Sequence, residues 1–468
     1  MSEIHVGPRS QRNRRKKNLT LGLIIASTVL FVLAIVFVVI FAIRNAPPST
    51  PTNTNTDASN QTTVTDTTDT DEEDDTVKPI SFATISVTGD ILTHTNVINA
   101  AKITETGEYV FDPFFAHVKP YISAADYAVT NLEVTLAGTE NGRTYTGYPR
   151  FNSPDSLATG LKNAGFDMAM TANNHCYDTG LTGLHRTLQI LTENGLDTLG
   201  TVSNVETKKY VVKEINDIKI GMISYTFETG DAYPDRPSIN GLLTSENSVG
   251  LINSFDYKQL DKFYAELEEN LSNMKADGAE ATVLYIHWGN EYQLSPASSQ
   301  KEIAQKICDL GIDVIVGGHP HVIQPMDLLE STVDENHKTI CLFSCGNFIS
   351  NQRRNLMNLK TGHTEDGIMF SFSFTKYSDG TVALEQVDAI PTWVWLHKVN
   401  GQNVYSILPL DQGIEDWKAA FSLDDVNLNH ATESYQRTMA LIEEGLMKSK
   451  NHLEAEKLAR LAAYETKE

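Results

Sequence analysis

The feature that most constrains the fold is a pattern that recurs between residues 82 and 347. In this pattern a short apolar run ends in a polar side chain. Most of these runs continue into a helical pattern, as Phe166–Met170 does when the turn 171–180 leads into Leu181–Asn194. Strands that alternate with helices are typical of an α/β sheet with crossover connections. Because open α/β sheets place their sites at the carboxyl ends of the strands, any site in this domain is expected there.

Six of the predicted strands end in side chains that can bind a metal or move a proton. These side chains are Asp90, Glu133, Asn174 with His175, His287, His319 with His321, and Asn347. Because the carboxyl ends of parallel strands lie along one edge of a sheet, we expect the six ends to converge. Each residue alone also fits a polar turn or a surface histidine, and the turn 171–180 by itself favours neither interpretation.

The combination of imidazole, carboxylate and amide groups suits a divalent transition metal such as Zn, Mn or Fe better than calcium, which prefers oxygen ligands alone. His319 and His321 would point two imidazoles into one cleft if the chain between them is extended and stiffened by Pro320. Two metal ions about 3.5–4 Å apart would need a bridging carboxylate and several imidazoles, and could activate a water for attack on phosphorus. The residues present are sufficient for such a site.

The amino-terminal 43 residues predict a membrane anchor. Residues 1–18 are polar and basic, and Leu19–Ile43 has no charged residue in 25 positions. As a helix this stretch would be about 37 Å long, enough to cross a hydrocarbon core of about 30 Å. It is longer than the apolar region of a cleavable signal and lacks a small-x-small cleavage site. Since the basic flank should stay in the cytoplasm, we expect a single-pass protein of the cell membrane whose main domain is extracellular.

The remaining segments are assigned from their composition. Residues 44–79 are rich in Thr, Asn, Asp and Pro, which predicts a disordered acidic linker. We place the α/β domain at residues 80–400 and a helical extension at residues 401–468. In this extension the patterns Ser434–Met447 and Asn451–Tyr464 suit packing on the domain, or else partner binding. The net charge of −23, with no long basic block beyond residue 18, argues against nucleic acid as a partner.

Six blocks of the sequence, in this order and spacing, resemble the CapA family of poly-gamma-glutamate capsule biosynthesis proteins, which have a calcineurin-like metallophosphatase fold. The blocks are Gly89-Asp90-Ile91, Asn131-Leu132-Glu133, Ala172-Asn173-Asn174-His175 with Asp178 and Gly180, His287-Trp288-Gly289 with Glu291-Tyr292, Gly318-His319-Pro320-His321, and Gly346-Asn347-Phe348. The resemblance covers about residues 82–396. It implies an αββα sandwich of two sheets in a membrane-attached protein at the cell surface. Such a protein would work with other subunits in making or exporting an anionic polymer.

The resemblance to metallophosphatases also implies roles for single residues. By position, the metal ligands are Asp90, Glu133, Asn174, His287, His319 and His321. His175 matches the histidine thought to act as an acid near the leaving group, and Asp178 and Glu291 are further candidate catalytic residues. Three positions depart from the family pattern, with Leu92 in place of a histidine, Glu133 in place of the bridging aspartate, and Asn173 in place of a glycine. The site could therefore hold one divalent ion, two ions with altered spacing, or none.

These observations lead to one expected function and two alternatives. We expect a membrane-anchored protein of capsule synthesis, export or anchoring that carries a metallophosphatase-like site. The first alternative is a metal-dependent phosphoesterase or amide hydrolase that acts on a cell-surface polymer. The second is a non-catalytic assembly subunit whose pocket merely binds polymer carboxylates. Turnover of a test substrate would favour the first alternative. An unchanged amount of capsule in strains that carry site variants would favour the second.

Overall fold

The structure, a computed structural model, describes residues 77–230, 236–411 and 413–465. The predicted basic segment 1–18, the predicted membrane segment 19–43 and nearly all of the predicted linker 44–79 lie outside these ranges. Within them, no helix combines the length and the apolar character needed to cross a membrane.

Strands make up the two central layers of the domain and one short separate hairpin. They are β1 (Pro79–Ile91), β2 (Tyr127–Leu132), β3 (Met168–Met170), β4 (Asp197–Leu199), β5 (Tyr210–Ile215), β6 (Ile218–Phe227), β7 (Ser238–Ile239), β8 (Leu242–Leu243), β9 (Ser254–Phe255), β10 (Ala281–His287), β11 (Val314–Gly318), β12 (Ile323–Glu330), β13 (Lys338–Cys345), β14 (Asn347–Ile349), β15 (Asp366–Tyr377), β16 (Val382–Val399) and β17 (Gln402–Pro409).

Helices cover the strands on the outside and at one end. They are α1 (Thr95–Ala101), α2 (Asp112–Phe115), α3 (Lys119–Ile122), α4 (Ser156–Ala164), α5 (Gly180–Glu193), α6 (Leu260–Ala276), α7 (Ser298–Asp309), α8 (Ile414–Phe421) and α9 (Asp425–Glu465). Short 3-10 helices lie at Glu140–Gly142, Glu246–Ser248 and His363–Glu365.

Most strands form two mixed sheets, whereas β7 and β8 pair antiparallel in a separate two-stranded sheet and β9 pairs with β6 of the second large sheet. The first sheet has the order β17-β16-β15-β1-β2-β3-β4, and β14 also pairs with β1. In it β1 to β4 run parallel, whereas β15, β16 and β17 pair antiparallel. The second sheet has the order β12-β13-β11-β10-β6-β5, with β6, β10, β11 and β13 parallel. The predicted α/β class is therefore confirmed as a mixed α/β fold.

The two sheets pack face to face, and helices lie on their outer faces. Along β10, Val283 and Tyr285 belong to an apolar cluster that also contains Ile85 and Val129 of the first sheet. The alternate residue Leu284 packs instead with side chains of α6 and α7. On the far side, the first sheet shares a cluster with side chains of α1, α2 and α4. Strands such as β10 are nearly continuous apolar runs because both of their faces are buried. The layers follow the order helix, sheet, sheet, helix.

Two expectations about the carboxyl-terminal part need correction. The domain boundary at residue 400 is wrong, because β17 pairs antiparallel with β16 and continues the first sheet to Pro409. The two predicted helices 434–447 and 451–464 are one helix, α9, since residues 448–450 contain no glycine or proline to end it. The expected packing on the domain is confirmed, as Ile442, Leu446 and Leu453 join the apolar cluster between the sheets.

Candidate metal centre

The predicted strand ends meet at one place, but they come from two sheets and not from one edge of a single sheet. The first sheet supplies Asp90, Glu133, Asn174 and His175, and the second supplies His287, His319 and His321. Ligand atoms of Glu133, His287 and His319 lie within 4.8 Å of one another, as do those of Asp90, Glu133 and His321. We call these two sets of three residues the acid–histidine groups. All of their residues are buried, and Glu133 belongs to both groups.

Asp90 is held by polar contacts from three directions. Asn131 Nδ2 donates a hydrogen bond of 2.8 Å to Asp90 Oδ1, and the backbone N–H of His319 donates one of 3.2 Å to Oδ2. His321 Nδ1 also lies 3.2 Å from Oδ2. Burial alone would raise the pKa of Asp90, but the hydrogen bond and charge of His321, with further help from His287 and Asn131, hold it below its usual value. Asp90 is therefore an anion that can accept a cation.

Glu133 is the buried carboxylate whose surroundings most favour a bound cation. Its Oε1 lies 3.3 Å from His287 Nε2 and 3.7 Å from His321 Nε2. Yet neither of its carboxylate oxygens has a hydrogen-bond partner among the described residues, and the same is true of His319 Nδ1. Buried polar groups without partners are rare and costly. Imidazole nitrogen and carboxylate oxygen together suit Mn, Fe or Zn, so these residues could hold a metal ion.

The backbone around His319 and His321 differs from the expected extended segment. His319 has φ of 98° and His321 has φ of 56°, both in the left-handed region that favours glycine. Such conformations cost roughly 1–3 kcal/mol each and persist where the surroundings impose them, commonly at functional sites. The preceding Gly318 is required by space, since a Cβ there would lie 2.9 Å from Asp90 Oδ1. The two imidazoles thus reach the site through a tight turn.

The histidines of the cluster differ in charge. Burial, together with the neighbouring His287 and His321, lowers the pKa of His319 well below its usual value, so its imidazole is neutral. Burial acts in the same direction on His321, but the carboxylates of Glu133 and Asp90 outweigh it and raise the pKa of His321 to about 9. Because a metal binds only the unprotonated ring, ion binding at His321 must displace this proton.

Asn174 and His287 contact each other across the two sheets. Asn174 Oδ1 lies 2.7 Å from His287 Nε2, and Asn131 Nδ2 lies 3.4 Å from His287 Nδ1. Asn131 itself accepts a hydrogen bond of 3.0 Å from Asn173 Nδ2. Neither Asn131 nor Asn173 was among the predicted site residues, yet their hydrogen bonds join the ends of β1, β2 and β3. These amides fix where the acid and imidazole groups sit.

His175 lies in a second, adjoining arrangement with Asp178. The Nδ1 atom of His175 is 2.7 Å from Asp178 Oδ2, which also accepts a hydrogen bond of 2.7 Å from the backbone N–H of Phe151. The Phe151 ring meets the His175 ring edge-on at 4.7 Å, and Asn240 Nδ2 lies 3.3 Å from both His175 and Asp178. Neither Phe151 nor Asn240 was among the predicted site residues. Asn240 lies in the long stretch 227–253, and stretches of this length are commonly functional.

Three residues near the centre do not join the acid–histidine groups. Glu291 is exposed and does not belong to the buried cluster. Its candidate catalytic role therefore stays a prediction. Leu92 is buried in the apolar cluster between the first sheet and its helices, and cannot serve as a ligand. His94 accepts a hydrogen bond of 3.2 Å at Nδ1 from the backbone N–H of Asn351. Burial and the nearby His321 lower the pKa of His94 to about 4, so this ring is neutral.

Fold and site together define a mixed α/β protein with a candidate divalent-metal centre where the strand ends of two sheets meet. The sequence profile of the family described as bacterial capsule synthesis protein PGA_cap matches residues 84–352, more than half of the chain. The chain therefore belongs to this family of capsule synthesis proteins, and the resemblance to the CapA family is confirmed.

Two curated relatives carry the CapA name. The capsule biosynthesis protein CapA of Bacillus anthracis is 28% identical over 275 residues, which are 58% of this chain and 60% of that protein. The PGA biosynthesis protein CapA of Bacillus subtilis is 24% identical over 332 residues, which are 69% of this chain and 78% of that protein. The chain thus spans 60% of the length of the first relative and 78% of the second.

Proposed function

We propose that this chain acts in the synthesis, export or anchoring of a poly-gamma-glutamate capsule, through a divalent-metal site of metallophosphatase type. Membership of the capsule synthesis family and the layered α/β architecture support the proposal. The observation that carries it is Glu133, a buried carboxylate that two acid–histidine groups share and that has no hydrogen-bond partner among the described residues. Buried polar groups without hydrogen bonds are costly, and a bound cation would give the carboxylate oxygens a partner.

The residues that would hold the ion are Asp90, Glu133, Asn174, His287, His319 and His321. A divalent ion supplies Lewis-acid polarisation of a phosphoryl or carbonyl oxygen when it is bound in such a site. Asn131 orients Asp90 and His287 through hydrogen bonds, so that the acid and the imidazole are placed before any substrate arrives. The neutral His319 offers an unprotonated nitrogen, and the proton of His321 has to leave.

His175 and Asp178 favour a hydrolase over a passive assembly subunit. Asp178 accepts the Nδ1 proton of His175 at 2.7 Å, which fixes the ring and leaves Nε2 as the atom that exchanges a proton with the leaving group. Asn240 and the Phe151 backbone hold Asp178 in turn. A merely carboxylate-binding pocket has no need for such an oriented acid. The reaction class that these residues support is hydrolysis of a phosphoester or amide bond in an anionic cell-surface polymer.

The cellular setting of this proposal comes from the sequence. The basic residues 1–18 and the uncharged segment Leu19–Ile43 support a single-pass anchor in the cell membrane, with the catalytic domain outside the cell. The partners would be the membrane, the anionic polymer and other subunits of a synthesis or export complex. Protease added to intact protoplasts should digest the domain, whereas full protection would contradict this orientation.

Complementation of a capsule-deficient deletion strain tests the proposed function. Wild type should restore the polymer, whereas His175→Ala and His319→Ala should fail at equal protein level. The matched control is His185→Ala, because His185 is exposed on α5 and does not belong to the acid–histidine groups. Full restoration by His319→Ala would contradict a functional metal site and favour the non-catalytic assembly role.

A further inference from the structure

The carboxyl-terminal helix α9 begins well after residue 352, where the family match ends, yet buried charges join it to the chain beside the candidate metal centre. We call residues 350–366 the linking segment. Asp366, at the end of this segment, accepts hydrogen bonds of 2.9 and 2.8 Å from Arg437 Nε and Nη2, and one of 2.7 Å from Ser434 Oγ. Two bonds from one guanidinium fix the orientation of a carboxylate as well as its distance.

A second set of charges joins α9 to the linking segment. Arg354 Nη1 donates a hydrogen bond of 3.0 Å to Glu433 of α9. Arg354 also donates from its backbone N–H, at 2.8 Å, and from Nε, at 3.2 Å, to the buried Glu365. Arg353 Nη2 lies 3.4 Å from the same carboxylate. With the Arg437–Asp366 pair, three guanidinium groups and three carboxylates lie together, so the two buried carboxylates Glu365 and Asp366 are each paired.

The linking segment contacts the metal centre through Asn347. The Nδ2 atom of Asn347 donates to the backbone oxygen of Thr364 at 3.0 Å and to Gln352 Oε1 at 2.9 Å. It also donates to the backbone oxygen of His321 at 3.2 Å. His321 has a positive φ, a conformation that the surroundings must impose. Asn347 is therefore a direct connection between the linking segment and the strained backbone of a candidate ligand.

Two further contacts join the linking segment to the walls of the centre. Gln352 Nε2 donates to Tyr292 Oη at 3.2 Å, and the backbone N–H of Tyr292 donates to the carbonyl of Pro320 at 2.8 Å. Pro320 stands between His319 and His321. The backbone N–H of Asn351 donates to His94 Nδ1, as described above. The linking segment thus supports the 319–321 turn from two sides.

We propose that α9 positions the metal-binding histidines, with Arg437 and Asp366 as positioning residues that act on His321 through the linking segment and Asn347. The proposal rests on the proposed function only in naming a divalent ion as the ligand. The connection between α9 and His321 is supported by the hydrogen bonds alone and does not depend on a metal. It assigns to residues outside the family match a part in shaping the site.

Removal of only Arg437 or only Asp366 would destabilise the whole protein, and this loss of stability would obscure any effect on the position of His321. Burial raises the pKa of Asp366 to about 6 even though Arg437 and Ser434 lower it, so an ionised Asp366 without Arg437 would be strongly destabilising. The test variant is therefore Arg437→Met with Asp366→Asn, which removes both charges and keeps the side-chain size. The matched control on the same helix is Arg460→Met with Glu385→Gln. That pair likewise joins a half-buried arginine to a buried carboxylate, with Arg460 Nη1 2.7 Å from Glu385 Oε1, and it connects α9 with β16 rather than with the linking segment.

Both double variants and the wild type are compared as full-length proteins by hydrogen–deuterium exchange and by titration with Mn²⁺. The proposal predicts faster exchange at residues 347–366 and at the 319–321 turn in the Arg437/Asp366 variant alone. It also predicts a loss of about 10-fold in Mn²⁺ affinity, at the lower end of what outer-shell changes cause. Equal exchange and equal affinity in the two double variants would overturn the proposal.

The two proposals fail in different ways. If the wild type binds no Mn²⁺, the proposed function loses its metal, while the exchange comparison still decides whether α9 holds the turn. If the wild type binds Mn²⁺ and the two double variants show equal affinity and equal exchange, the metal site stands and the positioning role is refuted. Melting temperatures of the three proteins report global stability, and we expect the two double variants to match within about 2 °C.

Discussion

Removal of metal should reveal a contribution of His321 to the pH dependence of stability. Its pKa of about 9 in the folded protein lies above the ordinary value of 6.5 because Glu133 and Asp90 favour the charged ring. A raised folded-state pKa stabilises the protein fully below pH 6.5, and this contribution disappears as the pH rises through 9. A pKa difference of about 2.5, at 1.36 kcal/mol for each unit, corresponds to about 3 kcal/mol of unfolding free energy.

Urea unfolding of chelator-treated protein at pH 6.5 and pH 9.5 measures this effect. The wild type should lose about 3 kcal/mol more between the two pH values than His321→Gln, which cannot carry the proton. His185→Gln should behave like the wild type, because His185 is exposed. If the wild type and His321→Gln lose stability in parallel, then His321 does not carry the charge assigned to it.

Two other predictions concern Glu133, as a candidate metal ligand, and the packing of α9. Wild type should gain about 2.7 kcal/mol, or about 3 °C in melting temperature, when free Mn²⁺ is 100 times its Kd. Glu133→Gln should show no such gain in a thermal shift assay, and an equal rise would contradict its role as a ligand. In α9, Gly445→Ala should lower the melting temperature, although this change ordinarily stabilises a helix by about 1 kcal/mol. The reason is that the new Cβ would lie 1.9 Å from the Met326 carbonyl oxygen, and a raised melting temperature would refute this close contact.

The local parts of the site could be predicted from sequence. Strands leave either short apolar runs or an alternation of apolar and polar residues, so each strand end was visible where such a pattern met a polar side chain. Asp90, Glu133 and His287 were found in this way, and they do lie together. His319 and His321 were found too, but their backbone was not, because positive φ at a non-glycine residue is imposed by neighbours and has no local signal.

Contacts that depend on long separations could not be predicted. Asn240 reaches Asp178 from 62 positions further along the chain, and Arg437 reaches Asp366 from 71 positions further along. A single polar residue in an irregular stretch carries no periodic signal, so only the length of the stretch hinted at a role. The assignment of strand ends to two sheets was equally hidden, because periodicity describes each strand and not its pairing.

Metal content of the purified full-length protein tests the central claim most directly. Inductively coupled plasma mass spectrometry should find one or two equivalents of Mn, Fe or Zn in the wild type. The double variant His319→Ala with His321→Ala, which removes one ligand from each acid–histidine group, should hold less than about a tenth of that amount. No bound metal in the wild type after reconstitution with Mn²⁺, or equal metal in the double variant, would contradict the account.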